Sequence, residues 1–83
     1  IPSHIQVLTG GGTVTYKGSA SRAIWWELVG VDTTVEGAAY GTLTHVQPFT
    51  GGDGYATAVY HAPSTSPGVN KSDRVKVYES VVI

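Results

Sequence analysis

The chain has 83 residues, no cysteine and a formal net charge of −1 from five basic and six acidic side chains. This length allows one domain, near the lower limit at which a hydrophobic core is stable without covalent or metal cross-links. The absence of thiols excludes disulfides and cysteine-ligated zinc. The near-neutral charge argues against nucleic acid and anionic membranes as partners, because both need a basic surface. No apolar run approaches the roughly 20 residues of a membrane span.

Composition places the chain in the all-β class. Only 13% of the residues are charged, methionine is absent, and Thr, Val, Gly, Ser and Tyr dominate, which is typical of strands and turns. No stretch has a convincing helical pattern. We therefore expect a single domain over residues 1–83. The start at Ile1 instead of Met, with the apolar C-terminal end, predicts a module of a longer multidomain chain.

Seven strand-like segments follow one another in chain order, separated by Gly, Pro and Asp turns. The fourth is weak and is expected at an edge, and the fifth ends before Pro48, which cannot donate to a ladder. Seven short strands at this spacing predict a sandwich or barrel. The segments cover residues 5–8, 13–17, 23–29, 33–36, 42–46, 54–61 and 74–78.

The adjacent Trp25 and Trp26 must point to opposite faces of a strand, so only one of them can enter the core. Glu27 is the residue least expected inside, and Trp25 shares its face, so Trp26 is predicted to be the core residue. Ala56 and Ala58 would leave room for its indole. The predicted core is Ile24, Trp26, Leu28, Ala56, Ala58, Tyr60, Val75 and Val77.

Four motifs occur in a characteristic order: Trp-Glu-Leu-Val-Gly at 26–30, Tyr-Gly-Thr-Leu-Thr at 40–44, Gly-Asp-Gly-Tyr-Ala-Thr-Ala-Val-Tyr-His-Ala-Pro at 52–63 and Asp-Arg-Val-Lys-Val at 73–77. This order resembles that of bacterial immunoglobulin-like domains of the invasin/intimin type. The resemblance covers the chain after its first two strands. It implies an immunoglobulin-like Greek-key β-sandwich, a structural or adhesive role in tandem arrays of surface or secreted proteins, and no catalysis.

Residues that could carry chemistry are scattered. His4, His45 and His61 have no acidic residue at ligand spacing, so no metal site is predicted from them. The turn at Asp53 is a weak candidate calcium site, because it offers a single carboxylate where calcium takes about six to eight oxygens. No Gly-x-Ser-x-Gly or Ser-x-x-Lys motif occurs. We therefore expect neither a catalytic residue nor a cofactor.

One outward surface is the main candidate for binding. In an immunoglobulin sheet the third, sixth and seventh strands lie side by side, which would bring their exposed side chains together. Three interpretations remain open: cross-strand packing, contact with a neighbouring domain or subunit, and stacking of a glycan on aromatic rings. The candidate binding residues are Trp25, Tyr55, His61, Lys76 and Tyr78.

These expectations predict a non-catalytic immunoglobulin-like module of an extracellular or cell-surface bacterial protein, acting as spacer or as adhesion and presentation domain. Its partners would be neighbouring domains of the same chain, and a glycan or a host or cell-surface protein. One alternative is a carbohydrate-binding module of a secreted hydrolase that stacks sugars on Trp25 and Tyr55. Another is a fibre subunit joined through its terminal strands, with residues 81–83 either continuing the last strand or donated to the next subunit.

Overall fold

A computed structural model describes residues 1–31, 35–64 and 72–81. The fold is all-β, which confirms the expected class, and the described residues form no helix, so none crosses a membrane as a long apolar helix. The strands are β1 (His4–Leu8), β2 (Gly12–Lys17), β3 (Ile24–Val31), β4 (Glu36–Gly37), β5 (Thr42–Thr44), β6 (Tyr55–His61) and β7 (Ser72–Glu79).

The strands form two antiparallel sheets. One has four strands in the order β1-β7-β3-β4, and the other has three in the order β2-β6-β5. Buried residues of both sheets contact one another in two clusters, so the sheets pack face to face as a β-sandwich. The first cluster contains Leu8, Val14, Tyr60 and Val75, and the second contains Tyr16, Ile24, Ala56 and Val77.

The predicted inward residues all lie on the core side, but not to the same depth. Six of the eight are buried, whereas Trp26 and Leu28 are half-buried. Trp26 packs against both clusters, and its Nε1 donates to the carbonyl of Gln47 at 2.9 Å. The indole therefore contacts both clusters, while its N–H lies at the exposed edge of the core and donates to a backbone carbonyl.

Several predicted strand ends shift. β3 continues to Val31, and β4 begins only at Glu36, the last residue of the predicted segment 33–36; residues 33 and 34 of that segment lie outside the described residues. β5 ends at Thr44 and not at 46, because His45 has a φ of 50°, a left-handed conformation that a strand cannot contain. β7 is longer than expected and runs from Ser72 to Glu79.

The expected grouping of the third, sixth and seventh strands is wrong. β3 and β7 are neighbours, but β6 lies in the opposite sheet between β2 and β5. The inward alanines Ala56 and Ala58 pair in register with Tyr16 and Val14 of β2. These small residues leave space for the larger side chains of the facing sheet. The fit between the alanines and the Trp26 indole, which predicted that Ala56 and Ala58 point inward, is therefore also met when β6 lies across the core from β3.

A buried carboxylate ties the loop after β4 to the core. Asp73 accepts hydrogen bonds from the backbone N–H groups of Tyr40 (2.8 Å) and Gly41 (2.7 Å) and from the hydroxyl of Tyr60 (2.5 Å). Burial first, and then the hydrogen bond and the negative charge of Asp73, raise the pKa of Tyr60 to about 12. Three donors compensate the carboxylate for its lost hydration.

Replacing Trp26 tests the core assignment. We expect Trp26→Ala to lower the free energy of unfolding by about 3 kcal/mol, the low end for a buried Trp because the indole is half-buried. The matched variant Trp25→Ala should cost about 1 kcal/mol, the value of a surface aromatic pair. Urea unfolding followed by circular dichroism measures both, and a larger loss for Trp25→Ala would reverse the face assignment.

Replacing Asp73 tests the buried tie. Asp73→Asn should lower the free energy of unfolding by about 2–3 kcal/mol, because an amide cannot accept from three donors at once. Tyr60→Phe removes one donor and should cost about 1 kcal/mol. Spectrophotometric titration of Tyr60 should give a lower pKa in Asp73→Asn than in the wild type, and an unchanged pKa would contradict the assignment.

Candidate binding face

The four-stranded sheet turns one side to solvent, which we call the outer face. Its members follow from the register, because paired residues of antiparallel strands share a face. Trp25, Glu27 and Val29 of β3 lie opposite Tyr78, Lys76 and Arg74 of β7. Towards the edges the same face carries Ile5 and Val7 of β1 and Glu36 of β4.

An aromatic pair lies at one end of the outer face. The rings of Trp25 and Tyr78 stack with centroids 5.1 Å apart and planes 10° from parallel. The Tyr78 hydroxyl donates to Glu27 at 2.9 Å, and this hydrogen bond is the main reason that the pKa of Tyr78 is raised. Trp25 remains 57% exposed, so the pair leaves a large part of the indole accessible.

Phe49 extends this aromatic end, and the sequence did not predict it. Its backbone pairs with that of Ala23, which shares the face of Trp25, so Phe49 lies on the same side of the sheet. Its side chain is 62% exposed. The only sequence signal is that it is the single Phe of the chain, next to a proline and far from β3 in sequence.

Three of the four charged side chains of the outer face form one ion-paired group, in which Glu36 contacts both Arg74 and Lys76. The Glu36 carboxylate lies 3.1 Å from Arg74 Nη1 and 2.8 Å from Lys76 Nζ. The hydrogen bond from Lys76 lowers the pKa of Glu36, and the same contact raises the pKa of Lys76. With Glu27 bonded to Tyr78, two basic and two acidic side chains leave the face without an excess of either sign.

Tyr55 and His61 lie on the other sheet, so the structure divides the predicted binding residues between opposite sides of the sandwich. Trp25, Lys76 and Tyr78 are together on the outer face, but Tyr55 and His61 belong to β6. Tyr55 lies under the ammonium group of Lys17, 5.4 Å from the ring centroid. The single aromatic surface expected from the sequence is therefore wrong, because β6 is not a neighbour of β3.

The histidines are not gathered at one point. His45 Nδ1 and His61 Nε2 both contact the hydroxyl of Thr44, at 3.2 and 2.6 Å. His4 instead lies beside the ring of Tyr16. Among residues 1–31, 35–64 and 72–81 no three His, Cys, Asp or Glu side chains form a group that could hold a metal.

Asp53 has a structural task within its own turn. Its Oδ1 accepts the N–H of Tyr55 at 3.0 Å, which is the usual local hydrogen bond of an Asp in a turn. Gly54 has a φ of 86°, and a side chain there would also meet the carbonyl oxygen of Gly18. The local hydrogen bond of Asp53 and the backbone conformation of Gly54 therefore explain why these two residues occur in the turn.

Both ends of the described chain lie at the same end of the sandwich. β1 starts beside the end of β7: the N–H of Ser3 donates to the Val77 carbonyl at 2.7 Å, and the N–H of Glu79 donates to Ser3 Oγ at 3.2 Å. The Glu79 carboxylate in turn accepts the backbone N–H (2.7 Å) and the hydroxyl (3.1 Å) of Ser19. Val81 is exposed, and residues 82 and 83 of the predicted donated segment lie outside the described residues.

Comparison with known proteins returned no assignment. No known family model, curated protein or solved structure is significantly similar to this chain.

The hydrogen bonds between Glu79 and Ser19 should make the stability of the fold decrease in acid. The backbone hydrogen bond from Ser19, helped by its hydroxyl, lowers the pKa of Glu79 below the ordinary 4.5. A carboxyl whose pKa is lower in the folded state adds stability above its unfolded pKa and loses it as pH falls through the folded pKa. We expect the urea concentration at the unfolding midpoint to decrease as the pH is lowered below 4.5. The decrease should be smaller in Glu79→Gln. An identical pH profile for both proteins would contradict this role.

Proposed function

We propose that this chain is a non-catalytic, immunoglobulin-like module of an extracellular bacterial protein that presents a protein-binding face to a host or cell-surface partner. The immunoglobulin-like Greek-key assignment is supported by the order of the four motifs and by the two antiparallel sheets. The position of β6 departs from the expected sheet grouping. The motifs therefore support the Greek-key part of this proposal more strongly than the strand order does.

The observation that carries the presenting role is that the start of β1 lies beside the end of β7. An in-line spacer needs the chain to enter at one end and leave at the other, so that its length separates its neighbours. Here Ser3 and Val77 are joined by a 2.7 Å backbone hydrogen bond. The eight residues of β7 span roughly 26 Å, and this length does not separate neighbours that are attached at the start of β1 and at the end of β7. A module attached in this way projects from its attachment point.

The chemistry of the outer face supports a protein partner. Exposed aromatic and aliphatic side chains surround paired charges, and the face carries no excess of either sign. Interface centres are typically enriched in aromatic residues and Arg and depleted in free charge. Trp25 and Phe49, the most exposed aromatic side chains here, are the expected anchors.

Carbohydrate binding is a second candidate, supported by the exposed indole of Trp25. The two rings first expected to stack a sugar, Trp25 and Tyr55, lie on different sheets. A sugar platform would therefore use Trp25 with Tyr78, and the Tyr78 ring already covers part of the indole. Glycan binding is the weaker proposal for this reason.

Adhesion of coated beads tests the function. The module, inserted into a surface loop of a monomeric carrier, is coupled to beads, which flow over immobilised extracellular-matrix proteins, epithelial cells and polysaccharides. We expect retention on protein or cells that falls about tenfold in Trp25→Ala/Phe49→Ala, since interface anchors are typically worth more than 1 kcal/mol each. The matched control, Thr13→Ala/Thr15→Ala on the exposed side of β2, should keep full retention.

The outcomes separate the candidates. Retention on polysaccharides alone would favour the carbohydrate-binding module, and no retention above that of uncoupled beads would contradict the presenting role. The geometry has its own check, since the chain lacks cysteine and can be labelled cleanly. Spin labels at Ile1→Cys and Val81→Cys should broaden each other's spectra, whereas labels at Ile1→Cys and Gly10→Cys, which precede and follow β1, should not.

A further inference from the structure

The four-stranded sheet has one free edge built from uncharged residues. β1 pairs with β7 on one side, and no other strand of the described chain pairs with its second side. The unpaired N–H and C=O groups of an edge strand are a template for another chain. Natural proteins block such edges with very short strands, lysine, proline or bulges.

The other three edges carry such protection, whereas β1 does not. β4 has two residues and β5 has three, which is too short for a stable ladder, and β2 ends in Lys17. β1 has five residues, His-Ile-Gln-Val-Leu, with no charged side chain and no proline. It is thus the one long edge strand of the described chain that lacks a charged residue.

The side chains of β1 are complementary to a second copy of the same strand. If two copies pair antiparallel about Gln6, Ile5 of each copy lies opposite Val7 of the other. Both side chains point to the outer face and are more than half exposed, at 54% for Ile5 and 51% for Val7. Cross-strand pairs of β-branched residues stabilise such a ladder. The twofold axis passes through the Gln6 pair and sets the outward side chains at positions 5 and 7 of the two copies opposite one another, so like charges at these positions would repel.

We propose that β1 joins two copies of this chain into a twofold dimer, in which two four-stranded sheets become one continuous sheet. The dimer is closed, because each copy uses the one long edge strand without a charged residue among the strands that the structure describes. It differs from a fibre built through donated terminal segments, which would leave further edges open. The proposal does not depend on the presenting role, but it would place two outer faces side by side and make binding bivalent.

Sedimentation equilibrium tests the dimer. The wild-type chain is measured at concentrations up to about 1 mM, which covers weak self-association. Ile5→Glu/Val7→Glu is the decisive variant, because in the monomer its new carboxylates lie opposite Lys76 and Arg74 of β7, which favours the fold. In the dimer the carboxylates of the two copies would face each other. We expect the dissociation constant to rise at least about a hundredfold.

The matched control is Thr13→Glu/Thr15→Glu, which places the same charges on the exposed side of β2, the other long edge strand. It should dimerise like the wild type. Hydrogen exchange gives a second readout: amides of β1 should gain protection as the concentration rises, and those of β2 should not. A wild type that stays monomeric throughout, a dimer unaffected by Ile5→Glu/Val7→Glu, or a dimer lost in the control would each overturn the proposal.

Discussion

The position of β7 between β1 and β3 is the constraint on which the rest of the structure depends. Its inward residues Val75 and Val77 are fully buried, and Asp73 holds the loop after β4. Because β1 runs antiparallel to β7, the first and last strands begin and end side by side. The arrangement of the core, the closeness of the chain ends and the composition of the outer face all follow from this single placement.

The polar groups with the strongest hydrogen bonding serve the architecture. Asp73 receives three donors from two segments, Glu79 holds Ser19, and the buried Thr50 hydroxyl links the carbonyl of Ser19 with the N–H of Arg22. Asp73 and Glu79 each join a loop to β7, and Thr50 joins two loops that are distant in sequence. A core of this size contributes only a small free energy of folding. These hydrogen bonds therefore hold the loops in place where apolar packing ends.

The two outer surfaces of the sandwich differ in a way that bears on binding. The three-stranded sheet shows threonines, Tyr55 beneath Lys17, and His61 bonded to Thr44. The outer face of the four-stranded sheet combines Trp25 and Phe49 with charges that neutralise one another. A neutral, partly aromatic surface is suited to contact with protein, whereas the polar surface behind it is suited to solvent. Pairing through β1 would extend the first surface and leave the second unchanged.

Much of the local structure could be read from the residues in order. The alternation around Glu27 assigned Trp25 and Trp26 to opposite sides, and the turn residues placed seven strands to within a few positions. The depth of Trp26 could not be read in this way, because it depends on where Gln47 ends up. Phe49 was missed because its partner Ala23 is far away in sequence. The proposed grouping of Tyr55 with Trp25 failed because it assumed which strands are neighbours.

The sequence by itself determined the all-β class, the strand segments and the inward or outward direction of their side chains, because alternation and turn chemistry are local properties. Only the tertiary structure decided that β6 lies in the other sheet, that the start of β1 lies beside the end of β7, and that β1 has no second partner among the described strands. Those features depend on pairing between segments up to the full length of the chain apart. Such pairing is selected by the fit of whole faces, which no short pattern encodes.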